Sequence, residues 1–122
     1  MTRVIVAGGR GFKESTKTRV WLLEKLADIN PDQEICGCSQ GADLFGAEMA
    51  KILGISIKFF AADWNGQGKA AGPIRNKKMA EHAALADQGI CILFPGGNGT
   101  KNMKEEAQKV GLEIIEYQEE ET

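Results

Sequence analysis

The sequence predicts an α/β fold, a three-layer sandwich on a five-stranded parallel sheet in the order 3-2-1-4-5. Three observations carry that expectation. Short β-rich apolar runs alternate with segments of helical period, which implies parallel strands joined by right-handed crossovers. The run GICILF (residues 89–94) is nearly all apolar, as suits a central strand buried on both faces. The two most glycine-rich loops, GGRGF and PGGNGT, follow the first and fourth strands. In that strand order the reversal falls between those strands, where parallel sheets open a ligand crevice.

Taken in order, RVIVAGG (residues 3–9) reads as a strand and a tight turn. The segment STKTRVWLLEKLADIN follows as a helix with Val20, Leu22, Leu23 and Leu26 inward, closed by Pro31. QEICGC is a second short strand. GADLFGAEMAKILG is a helix with Ala42, Phe45, Met49 and Leu53 on one face, and Gly54 suits its C-terminal end. ISIKFF is the third strand. A long irregular stretch, AADWNGQGKAAG, precedes a helix opened by Pro73 and running to about Ala86, with Met79, His82, Ala83 and Ala86 on one face. After the fourth strand, TKNMKEEAQKVG forms a helix with Met103, Ala107 and Val110 inward and an exposed Glu105–Lys109 pair. LEIIEY is the fifth strand. The chain therefore reads as one domain over residues 1–117, with 118–122 as an acidic frayed tail.

Apolar (43%) and charged (26%) fractions are those of a globular chain, not a disordered or membrane one. The net charge of −2 argues against general nucleic-acid binding. It is uneven, since without Glu119, Glu120 and Glu121 the remainder is near +1. Cys36, Cys38 and Cys91 are an odd count with no signal peptide, which predicts free thiols and a cytoplasmic location. With a single histidine, His82, a zinc set is incomplete, so no metal and no cofactor are expected.

The chemistry-bearing segments are the loops. In PGGNGT, Gly96, Gly97 and Gly99 let a ligand approach the backbone, and the stretch from Asn98 opens a helix whose free amides favour phosphate. Pro95 starts the loop, and Thr100 can cap the helix or donate to a phosphate oxygen. Gly8 and Gly9 at the end of the first strand are followed by Arg10. Ser39, Gln40 and Gly41 open the second helix, where Asp43 suits the helix dipole. In the long stretch, Trp64 offers a stacking face and Arg75, in the first turn of the next helix, a bidentate grip. Such a stretch beside a site is lid-like. Neither a Walker motif nor a complete G-x-G-x-x-G is present.

The segments VIVAGGRGF, CGCSQGAD, ADWNGQGKAAGPIRN and FPGGNGT resemble, in this order, the YspA/YpsA-related branch of the SLOG superfamily, over residues 3–116. That superfamily includes the LOG phosphoribohydrolases and the DNA-processing protein DprA. The resemblance implies a Rossmann-like fold with a nucleotide or nucleotide-derived ligand over the loops after strands 1, 2 and 4. The LOG pattern P-G-G-x-G-T-x-x-E places its acid at Met103, whereas Arg75 and Met79 match the R-K-x-x-M helix with Asn76 for the lysine. The resemblance thus implies a phosphate grip without the acid of the N-glycosidase.

Three functions follow as expectations. The first is a nucleotide-binding or sensing module. The second is a nucleoside 5′-monophosphate phosphoribohydrolase whose acid has moved to Glu106, Asp43 or Asp63. The third is a DprA-like single-strand DNA binder, which the negative net charge disfavours. Apolar and alanine-rich helix faces, with the LOG resemblance, are compatible with a homodimer.

Overall fold

The computed structural model describes residues 1–119. Glu120 and Glu121, predicted as part of the acidic tail, lie outside the described residues. The strands are β1 (Thr2–Ala7), β2 (Gln33–Cys36), β3 (Ser56–Phe59), β4 (Gln88–Leu93) and β5 (Glu113–Glu116). The helices are α1 (Thr16–Ile29), α2 (Ala42–Ile52), α3 (Trp64–Gln67), α4 (Ala71–Ala84) and α5 (Asn98–Lys109). All strand pairs are parallel, in the order β3-β2-β1-β4-β5. The fold is the expected Rossmann-like sandwich.

Alternation along β1 divides the core. Val4 and Val6 face one side with Leu22 and Leu26 of α1, Phe45 and Met49 of α2, and Phe94. Ile5 and Ala7 face the other with Met79 and Ala83 of α4 and Met103 and Ala107 of α5. Because both faces are covered, the central strands β1 and β4 are apolar on both. Gly46 inside α2 is part of this packing, since a Cβ there would sit 2.5 Å from the Cβ of Val6. No helix among the described residues is long and apolar enough to cross a membrane.

The helix ends follow local chemistry. Ser15 and Thr18 cap α1 reciprocally, each side chain taking the other's backbone amide. Asn30 ends the helix in the left-handed region. Gly54, also left-handed, follows α2 as expected.

Several expectations need correction. Val20 and Leu53 are exposed, and α1 buries Thr18 in Val20's place. Val110 is also exposed, and Lys109 pairs with Glu106 at 3.3 Å rather than with Glu105. The segment expected to be irregular is so only over residues 61–63: Asp63 caps α3, a 3₁₀ turn follows, and α4 begins at Ala71, two residues before Pro73. Pro73 is tolerated there because first-turn amides have no helical acceptor. Short helical pieces rich in glycine and alanine lack the apolar period by which a sequence reveals a helix.

Candidate functional site

Three loops meet at Gly9, at the carboxyl ends of the strands. Its amide donates to Pro95 O at 3.0 Å, and its carbonyl accepts from Ala42 N and Phe12 N, both at 3.2 Å. This knot ties the β1 loop to the β4 loop and to the start of α2. Its glycines are packed. A Cβ on Gly8 would lie 2.7 Å from the Cβ of Ala42, and one on Gly9 would lie 3.0 Å from Gly96 Cα. Gly41, with φ +77°, turns its α-carbon against the backbone of Gly9 and Arg10. Beneath the knot Phe12 stacks against Phe45 and Phe94, with ring centroids 5.2 and 4.8 Å apart.

Beside the knot lies a cavity of about 380 Å³, within the range of small-molecule sites. Gly8, Gly9 and Arg10 line it from the β1 loop, and Gly97, Asn98, Gly99 and Thr100 from the start of α5. Gly97 caps α5 without a side-chain hydrogen bond, and the first helical bond runs from Lys101 N to Gly97 O. The amides of residues 98–100 therefore have no helical acceptor, which favours an anion. Gly97 and Gly99 differ from the knot glycines, because a Cβ on either meets none of the described residues within 4 Å.

Arg10, Arg75 and Asp43 supply the charged side chains of the lining. Arg75 is the fifth residue of α4, two residues further in than a helix opening at Pro73 would place it, and its guanidinium donates to Gly37 O and to Asn76 Oδ1. Asn76 in turn donates to Asn102 Oδ1 at 2.9 Å, bridging α4 to α5. Asp43, buried in the first turn of α2, accepts from Ser39 N at 3.3 Å. Burial pushes its carboxyl up to about 6, against the pull of Arg75, the Ser39 and Gly8 amides and Arg10. Trp64, half exposed, lies under the Arg10 guanidinium at 5.6 Å from the ring centroid, and its edge abuts Gly72. Met103, where the LOG resemblance expects an acid, lines the cavity as a buried core residue.

The remaining expected residues lie apart from this cavity. Gln40 lines a second cavity of about 400 Å³, on the far side of Arg10 and Trp64. Pro95 and Gly96 border a hollow behind the start of α5. Gly41 is packed in the knot. Among the described residues, Asp63 and Glu106 line none of these three spaces. Asp63 accepts from Gly66 N at 2.9 Å to cap α3, and Glu106 pairs with Lys109. Of the three candidate acids only Asp43 is in the wall.

Sequence reasoning missed Asn102 and the bridging role of Asn76. Asparagines inside helices are poor helix formers, and that signal was available. It also missed Glu34, fully buried in β2 and within reach of the Asp43 charge. Burial, and next the nearby Asp43 charge, push its carboxyl up to about 9. The Val6 amide pulls the other way, although neither oxygen reaches normal hydrogen-bond geometry. The cysteines are free, and burial raises Cys36 and Cys91 to about 12.

The chain is similar to the Gene 61 protein of Mycobacterium phage D29, with 33% identity over 129 residues covering 96% of this chain and 97% of the phage protein. No family model and no solved structure matches it.

Proposed function

We propose that this chain, which belongs to the family of the Gene 61 protein of Mycobacterium phage D29, is a cytoplasmic module that binds a nucleotide or another phosphate-bearing small ligand in the β1/β4 crevice. The observation that carries the reading is the cavity wall at the start of α5. There, uncapped amides and two open glycines line, together with Arg10 and Arg75, a space of about 380 Å³. The three free thiols support a reducing compartment. The resemblance to the SLOG superfamily supports the same ligand class, and Met103 in the position of the LOG acid favours binding over cleavage.

Titration with the four ribonucleoside 5′-monophosphates tests this reading. At least one should bind and raise the melting temperature, and inorganic phosphate should compete. If none of the nucleotides shifts the melting temperature or gives a binding isotherm, the reading fails.

One observation favours a second reading, a phosphoribohydrolase with a relocated acid. Asp43 is a buried carboxyl in the cavity wall, with its ionisation moved up to about 6, in the range that suits proton transfer near neutral pH. Cleavage of an N-glycosidic bond needs such a group near the sugar. Release of free base by the wild type, lost in Asp43→Asn with nucleotide binding retained, would establish it.

A further inference from the structure

Arg10 and Trp64 border more than the first cavity. A second cavity of about 400 Å³ begins on their other side, and the two share Arg10, Ser39, Trp64 and Arg75 as common walls. The partition includes two exposed side chains, the Arg10 guanidinium stacked over the Trp64 ring. Each space is of a size that takes a small-molecule moiety.

Their charges differ in an informative way. Both guanidiniums belong to the shared wall, whereas Asp43 lines the first cavity alone. Among the described residues no carboxylate lines the second cavity, whose own polar side chain is Gln40. Among the described residues, the only cationic side chains lining either space, Arg10 and Arg75, are thus both at the junction, apart from the amides at the start of α5. A guanidinium is a planar fork suited to phosphate oxygens. Stacking on Trp64 and bonding to Gly37 O and Asn76 hold Arg10 and Arg75 in place before any ligand arrives.

We propose that the ligand is two-lobed: two moieties joined through phosphate, one in each cavity, with the linking phosphate at the Arg10–Arg75 junction. This rests on the reading that the first cavity takes a nucleotide, and it narrows the ligand to a dinucleotide-like small molecule. A mononucleotide would fill one cavity and leave Gln40 and the second space without a partner.

The test compares the four ribonucleoside 5′-monophosphates with their symmetric 5′,5′-diphosphate dimers by calorimetric titration. The best dimer should bind about tenfold or more tighter than its monomer, from the added moiety and the shared guanidinium contacts. Ala62, in the loop before α3, lines the second cavity only. Ala62→Phe should therefore return the dimer to the affinity of the monomer and leave monomer binding unchanged, which also shows that the variant is folded. The proposal is overturned if monomers and dimers bind equally, or if Ala62→Phe weakens both alike. It is also overturned if affinity climbs steadily to strands of about ten nucleotides, the behaviour of a single-strand track. If neither monomer nor dimer binds, the underlying nucleotide reading falls as well, an outcome distinct from monomer binding without dimer advantage.

Discussion

Two groups of glycines sit at the head of the sheet, and they answer to different constraints. Gly8, Gly9, Gly41 and Gly96 are closed in by neighbouring loops, so that even a methyl group would strike Ala42, Phe94, Pro95 or backbone. Gly97 and Gly99, a few residues further along, face open space among the described residues. In sequence Gly96 looks like Gly97 and Gly99, glycines of one run after an apolar strand. The closed group is required by the fold, because three chain segments converge at Gly9. Packing does not require the open group, and both of its glycines line the cavity.

Substitution can break that comparison. The largest expected effect is at Gly41, where alanine would have to adopt φ near +77° and meet the carbonyl of Gly9. Left-handed strain and overpacking together should cost about 3 kcal/mol. That is a large share of the roughly 5–15 kcal/mol by which such domains are stable, and urea unfolding would read it. Gly99→Leu should behave in the opposite way. It replaces a poor helix former in α5, so stability should hold or rise by up to about 1 kcal/mol. By filling the cavity it should weaken nucleotide binding by about a hundredfold or more, or about 3 kcal/mol. If Gly99→Leu unfolds the protein, the distinction between closed and open glycines is wrong.

A third prediction concerns pH on the closed side. The Glu34 carboxyl is raised from an ordinary value of 4.5 to about 9. The folded state then holds a proton that the unfolded chain releases, so the stability this supplies is full below about pH 4.5 and is lost as pH rises toward 9. Asp43, raised from 3.8 to about 6, adds a loss of the same sign between those values. The melting temperature should fall from mildly acidic to alkaline pH, and Glu34→Gln should remove the part of the slope above pH 6. The smallest effect is expected on the open side at Arg10. Lysine there keeps the charge and loses the planar stack on Trp64 and the fork, which should weaken binding by about 1 kcal/mol and leave unfolding unchanged.

Much of this was legible in the residues. The order of elements followed from alternating periods, and the crevice from glycine loops after the first and fourth strands. Arg10, Trp64, Arg75 and residues 97–100 do line one cavity. What was not legible came from contacts between segments distant in sequence. Nothing in PGGNGT shows that Gly96 is packed against Gly9 while Gly97 is open, because that depends on where the β1 loop returns. Val20 fits the apolar stripe of α1, yet Thr18 is buried in its place, since it belongs to the cap as well as to the face. Glu34 is an isolated acid in a short strand, and only the packing of α2 over β1 and β2 reveals its burial.

The central claim is that the open glycines of α5 bound a nucleotide site. Calorimetric titration of ribonucleoside monophosphates into wild type and Gly99→Leu, at matched folded fraction, tests it most directly. The account predicts binding to the wild type and binding weaker by about a hundredfold or more to a variant that melts at the same temperature or above. Equal binding by both proteins, or none by the wild type, would contradict it.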